Sequence, residues 1–262
     1  GVGLQPRRTH GGRQHLDFCA SMDTCYIFHV FNTLDHQHIV RALLSLRLQT
    51  GFEARDFVLY NSSDFDSADL LMQAQVLVGT RFRNYRVVIP RQRTTTTLAD
   101  IQEQLSLITG ADFYFLHKAD FVLGPGVVSK AFAQAAGDAV FLNFCKFDLR
   151  ETVEPLDLVG RTWAEVLTDP DAVDVTDWAG GDLSPYKKLG YRGCDGVMHA
   201  YSEAARRILT LDSFIQPQTV EANRERGVTW TYGNPDLLVY HQFHALPGGR
   251  HDPNKDMPGA RF

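Results

Sequence analysis

Along residues 25–116, short apolar, β-rich runs alternate with helical stripes, and this alternation limits the fold more than any other feature of the chain. CYIFHVF (25–31) is rich in aromatic and β-branched residues and stops at Asn32 and Thr33, after which Ile39, Val40, Leu43, Leu44 and Leu48 share one helical stripe. DFVLY (56–60) repeats the strand pattern, NSSDFDS supplies a polar loop with capping residues, and 68–78 again reads as helix. YRVVIP (85–90) is a third strand. Past a polar loop, a helix from Thr97 carries Leu98, Ile101, Leu105 and Ile108 before Gly110 closes it, and FYFL follows as a fourth strand. Strands separated by amphipathic helices predict a mostly parallel, Rossmann-type sheet with right-handed crossovers.

The fourth strand carries a second message. In ADFYFLHKADFVLGPG (111–126) a buried-type run opens into a polar segment holding Asp120 and then a Gly-Pro-Gly turn. In an α/β protein such a strand delivers its acid to the carboxyl edge of the sheet, where ligands and metal ions are held. A short helix over 127–136 and the strand AVFLNFCKF (139–147) come next. The alternation then breaks: 148–195 mixes tryptophan and tyrosine with Asp, Gly and Pro, a composition expected of a functional loop region. A helix is predicted over 196–210, with Val197, Met198, Tyr201, Ala204, Ala205, Ile208 and Leu209 on one face, and LLVYHQF (237–243) is the last strand.

The expected organisation is a flexible N-terminal arm over 1–20 and one α/β domain over 21–262. Its halves divide near residue 147 into a part of nucleotide-binding type (25–147) and a second part (148–262). With 44% apolar residues the 262-residue chain can build one sizeable core. A net charge of -5 with scattered basic residues disfavours a nucleic-acid partner. Four cysteines, Cys19, Cys25, Cys145 and Cys194, lack metal-site spacing and read as reduced thiols of a cytoplasmic protein. No apolar run is long enough to span a bilayer, which leaves peripheral membrane association open.

Five segments together resemble the GT-A glycosyltransferases, enzymes that move a sugar from a nucleotide diphosphate donor to an acceptor. ALLSLRLQT (42–50) is similar to the family's first helix, and FVLYNSSDFD (57–66) to the strand and loop that face the nucleoside. FYFLHKADFVLGPGVV is similar to the strand, DxD signature and Pro-Gly turn that hold the donor diphosphate; LGYRGCDGVMHAY (189–201) to the GWGGED segment; and VYHQFH (239–244) to the C-terminal segment whose histidine ligates metal in some members. The order of the five matches the family's. Three departures stand out: Lys118 replaces the first acid of DxD, Tyr60 and Asn61 replace two acids after the second strand, and Cys194 replaces a glutamate while Asp195 is kept.

The resemblance implies a GT-A-like fold with a nucleotide-sugar-binding half over 25–147 and an acceptor-binding half over 148–262, a nucleotide-sugar donor, most simply UDP-linked, and a glycan or other hydroxyl acceptor. Donor-side candidates are Asn32 and Thr33 after the first strand, Asn61 with an amide for a pyrimidine edge, and Lys118 and Asp120 at the diphosphate. Arg93 joins them from a loop before a helix N-terminus, a natural anion site. A departing diphosphate needs positive charge, normally Mn²⁺ or Mg²⁺, and Asp120 with His241 suits such an ion. Residues three apart on a strand face opposite ways, so His241 is preferred to His244. An ammonium at Lys118 offers a metal-independent alternative. Asp195 is the candidate general base of an inverting transfer, and Trp178, Tyr186 and Tyr191 are candidates to stack on an acceptor sugar. Each has a plainer role: Asp120 or Asp195 as a helix cap, Lys118 as a solvated loop residue, the aromatics as buried packing. A non-catalytic nucleotide- or glycan-binding domain on the same fold is the competing class.

Overall fold

Seven consecutive buried residues, Thr24–Val30, form β1, and burial on both faces is what a central parallel strand requires. The computed structural model describes residues 23–32, 34–91, 110–135, 139–149, 152–162, 198–210 and 217–242, with a few isolated positions between them. The expected arm over 1–20 and most of the helix expected after Thr97 lie outside the described residues.

From β1 the chain reaches β2 (Ala54–Asn61) through helix α1 (His36–Arg47), and β3 (Phe82–Val88) through helix α2 (Ser67–Val78). Both helices start on an aspartate. Asp35 Oδ1 accepts from His38 N at 3.0 Å, and Asp66 Oδ1 from Ala68 N at 2.8 Å, each cap being worth about 1 kcal/mol. The return to β4 (Phe113–Lys118) lands on the other side of β1, with His29 level with Lys118 and Ile27 with Leu116. A short β5 (Phe121–Leu123), helix α3 (Val127–Gln134) and β6 (Val140–Asp148) follow. The chain then supplies β7 (His199–Ser202), helices α4 (Glu203–Ile208) and α5 (Pro217–Glu225), and β8 (Thr229–His241).

The eight strands make one sheet in the order β3-β2-β1-β4-β7-β6-β8-β5. Neighbours among the first four are parallel, β7 opposes β4 and β6, β8 runs with β6, and β5 opposes β8. The sheet is therefore mostly parallel, as expected. Phe28, Phe57 and Phe115 on one face pack against Ile39 and Leu43 of α1, Leu70 of α2 and Val128 of α3. The other face carries Ile27, Val58, Tyr60, Tyr114, Tyr201 and Trp230. Each fully buried phenylalanine contributes on the order of 2 kcal/mol.

Two expectations are corrected here. The segment read as one helix over 196–210 is strand β7 followed by the short α4. Met198 and Ala200 enter one core layer while Tyr201 enters the opposite one, the period of a strand wedged between β4 and β6. Ser202 ends it as an N-cap, its Oγ accepting from Ala205 N at 3.1 Å. The last strand begins at Thr229 rather than at 237. Its Gly-Asn-Pro interruption at 233–235 falls where the β6–β8 register shifts, and a bulge is where a central strand tolerates such residues.

Among the described residues, no helix is long and apolar enough to cross a membrane. Cys25 is a free, buried thiol whose burial pushes its pKa up to about 12, so it behaves as a small apolar side chain.

Candidate active site

The chain turns outward from β1 to β2 on one side and comes back to β4 on the other, so a crevice opens at the carboxyl ends of β1 and β4. Lys118 ends β4, Ala119 and Asp120 form the turn, and β5 starts at once. This turn is pinned from three directions. Ala119 N donates to His29 O of β1 at 2.9 Å, and Gln242 N donates to Asp120 O at 2.8 Å. The buried Gln242 side chain also donates through Nε2 to His38 O at 3.0 Å.

His241, the last residue of β8, lies opposite Phe121 in the β5–β8 ladder and stacks on its ring with centroids 4.8 Å apart. That position brings His241 Nε2 within 3.1 Å of Asp120 Oδ2, across 121 residues of sequence. Both side chains are buried, at 8% and 3% exposure. Asp120 does not cap α3: the N-cap there is Gly126, in a left-handed conformation at φ 65°. A buried carboxylate oxygen suits Mn²⁺ or Mg²⁺, and the imidazole nitrogen beside it is acceptable to Mn²⁺. No cluster of three or more potential protein ligands exists among the described residues, so an ion held by this pair would complete its shell with water and substrate oxygens, the usual habit of Mg²⁺ beside phosphates.

Lys118 sits beside the pair. Its Nζ is 3.9 Å from Asp120 Oδ2 and 4.9 Å from the centre of the Phe31 ring, with the side chain 13% exposed. Beneath it, His29 shares a hydrogen bond with Ser62 Oγ at 2.9 Å. Burial, and next the charge of Lys118, lower the His29 pKa to about 3.

The hairpin that carries Asp120 is held by Ser45 and Gln49 of the 42–50 segment, to which no role was given from sequence. Leu123 N donates to Ser45 Oγ at 3.0 Å, Gln49 Nε2 donates to Gly124 O at 2.9 Å, and Val128 N donates to Gln49 Oε1 at 3.4 Å. The SLRLQT end of α1 is thus a clamp on the Gly-Pro-Gly turn. A side chain at Gly124 would put its Cβ 2.6 Å from Leu238 O, so only glycine fits against β8 there. His117, on the face opposite Lys118, uses Nε2–H on Phe121 O at 2.8 Å, which leaves Nδ1 to accept from Tyr26 OH at 2.6 Å. Polar residues inside otherwise apolar strands or at the end of a helical stripe were the available signal for His117 and Gln49.

Burial lowers the His117 pKa to about 4. The unfolded chain takes up this proton near pH 6.5, whereas the native state resists it. Stability present above about pH 6.5 is therefore lost as pH falls towards about 4, and His29 adds a loss that continues towards about 3. Unfolding free energies from urea titrations are expected to drop steadily between about pH 6.5 and about pH 4.5, by up to about 1 kcal/mol per pH unit for each imidazole. A flat profile across that range would contradict the buried neutral assignment.

The remaining candidates divide in two. Asn32 is exposed two residues past the end of β1, and its Oδ1 accepts from Asp64 N at 2.6 Å. Asn61 lies at the expected edge, but its amide is not available to a pyrimidine. It is 2% exposed; Nδ2 donates to Phe65 O and Ser67 Oγ at 2.9 and 2.8 Å, and Oδ1 accepts from Ser63 N at 3.0 Å. The side chain folds the 61–67 loop instead. Thr33, Arg93, Trp178, Tyr186, Tyr191 and Asp195 lie outside the described residues.

No family model and no curated protein matches the chain. Among solved structures, GalNAc-T7, crystallised with UDP, GalNAc and Mn²⁺, matches 86% of this chain and 44% of its own at 11% identity and a TM-score of 0.50. The fold is GT-A-like. Glucosyl-3-phosphoglycerate synthase from Mycobacterium tuberculosis, in complex with Mn²⁺, UDP and glucosyl-3-phosphoglycerate, matches at 12% identity over 97% of this chain and 81% of its own, with a TM-score of 0.47. A mycobacterial protein matches at 14% identity over 97% and 74%, also at 0.47.

Proposed function

We propose that the chain is a glycosyltransferase that moves a sugar from a nucleotide diphosphate sugar, UDP-linked in the first instance, to a glycan or other hydroxyl acceptor, with inversion at the anomeric carbon. One observation carries this reading: Asp120 and His241 come within 3.1 Å of each other at the carboxyl edge of a GT-A-like sheet, beside Lys118. The likeness to GalNAc-T7, crystallised with UDP and Mn²⁺, supports the choice of donor and ion.

In this reading the nucleoside diphosphate lies across the carboxyl ends of β1 and β2, near Asn32 and Thr33, with its phosphates towards Lys118 and Asp120; Arg93 adds a further cation. Asp120 and His241 would hold a divalent ion, whose charge stabilises the departing diphosphate. Asp195 takes the proton of the acceptor hydroxyl as its oxygen bonds to the anomeric carbon. The bond from that carbon to the phosphate oxygen breaks, and its electron pair leaves with the nucleoside diphosphate. Trp178, Tyr186 and Tyr191 are the proposed acceptor platform.

Lys118 in a DxD position and the inward-facing Asn61 amide also favour a second reading, a non-catalytic nucleotide- or glycan-binding domain. Thermal shift with UDP, GDP, CDP and dTDP at millimolar concentration, followed by transfer or hydrolysis assays on a UDP-sugar panel, tests both. Stabilisation by UDP together with sugar release is expected. Stabilisation without turnover selects a nucleotide-binding domain, and no stabilisation by any nucleotide refutes the transferase and leaves only a glycan-binding domain.

A further inference from the structure

Lys118 has more hydrogen-bonding capacity than its described surroundings use. Its side chain is 13% exposed, and Nζ stands 3.9 Å from Asp120 Oδ2, beyond the 2.7–3.2 Å range of a hydrogen bond. That oxygen is already engaged by His241 Nε2 at 3.1 Å. The other contact of Nζ is the face of the Phe31 ring, 4.9 Å to its centre, which attracts a cation but accepts no conventional hydrogen bond from it. Among the described residues, then, a largely desolvated ammonium is held in place with its N–H donors still to be filled. It lies at the end of β4, in the crevice beside β1.

The charge balance points the same way. Asp120 and Lys118 sum to zero, whereas an acid at position 118 would leave the pair at two negative charges. Exchanging that acid for an ammonium weakens the attraction of the pair for a divalent cation and strengthens it for an anion. A structural ion pair would instead place nitrogen and carboxylate oxygen at about 2.7–2.9 Å, about 1 Å closer than the 3.9 Å seen here.

We propose that Lys118 is a resident counter-cation for the donor's diphosphate, so that a nucleoside diphosphate binds this chain without a divalent ion. The proposal rests on the donor reading above. It goes further in assigning the phosphate contact to a side chain that is present with or without metal, and in making Mn²⁺ or Mg²⁺ an enhancer of donor binding and not its precondition.

Calorimetry with UDP on the full chain, in EDTA and separately in Mn²⁺, tests it. The wild type is expected to bind UDP in EDTA. Lys118→Gln should bind UDP roughly ten-fold or more weakly in EDTA, the scale of a lost hydrogen bond to a charged group, with a much smaller loss in Mn²⁺. Lys118→Arg, which keeps the charge, should stay within about three-fold of wild type in EDTA. Titrating Mn²⁺ alone should show tighter binding to Lys118→Gln than to wild type. Wild-type binding that vanishes in EDTA, or Lys118→Gln equal to wild type there, overturns the proposal while leaving the donor reading in place. Failure of UDP, GDP, CDP and dTDP to bind in either buffer overturns the donor reading itself.

Discussion

Asp120→Asn is expected to lower sugar transfer by roughly 100- to 1,000-fold, the scale on which removing one preorganised electrostatic group from a site of developing charge acts. The substitution keeps the shape and one oxygen but removes the charge that His241 and Lys118 both face, at 3.1 and 3.9 Å. It also deprives a divalent ion of its one carboxylate among the described donor pair. The turn itself should survive, because Gln242 N and Ala119 N bond to backbone carbonyls. Folding cooperativity is therefore expected to stay intact while Mn²⁺ titrations show weakened binding and high Mn²⁺ restores part of the rate. Steady-state assays against a Mn²⁺ series decide it, and a variant at wild-type rate in low Mn²⁺ would remove Asp120 from the reaction.

For Asp195→Asn the expected loss is on the order of 100- to 10,000-fold in transfer rate, the contribution of a well-placed general base. Asparagine preserves the size of the side chain but cannot accept the acceptor's proton, so the variant isolates the basicity of position 195. Donor binding, read by calorimetry with UDP, should change little, because the proposed base acts on the acceptor side. The variant should fold normally. Transfer near the wild-type rate would take Asp195 out of the reaction and remove the support for inversion.

Most of the first half of the chain was legible from residues alone. The runs at 25–31, 56–60 and 113–116 are strands because their apolar pattern and punctuation act over a few neighbours, and β1, β2 and β4 stand there. Asp35 and Asp66 start their helices for the same local reason. Position 120 was marked by the acid before Gly-Pro-Gly, and His241 by the resemblance of VYHQFH to a metal-ligating segment of the GT-A glycosyltransferases.

Local patterns run out where a residue's surroundings come from distant chain. Met198 to Tyr201 fit a helical stripe equally well; being wedged between β4 and β6 makes them a strand. Asn61 stands at the sheet edge as its strand dictates, but which way its amide turns depends on the hydrogen bonds offered by Ser63, Phe65 and Ser67. The Gln49 clamp exists only because α1 packs beside the β5 hairpin. Sequence by itself determined strands β1 to β4, helices α1 and α2 between the first three, and the residue types available at the carboxyl edge, since these depend on short-range periodicity and turn chemistry. Tertiary structure alone decided that Asp120 meets His241 and that Lys118 stands beside them, because strand order and register across 121 residues arise from the summed packing of the whole sheet.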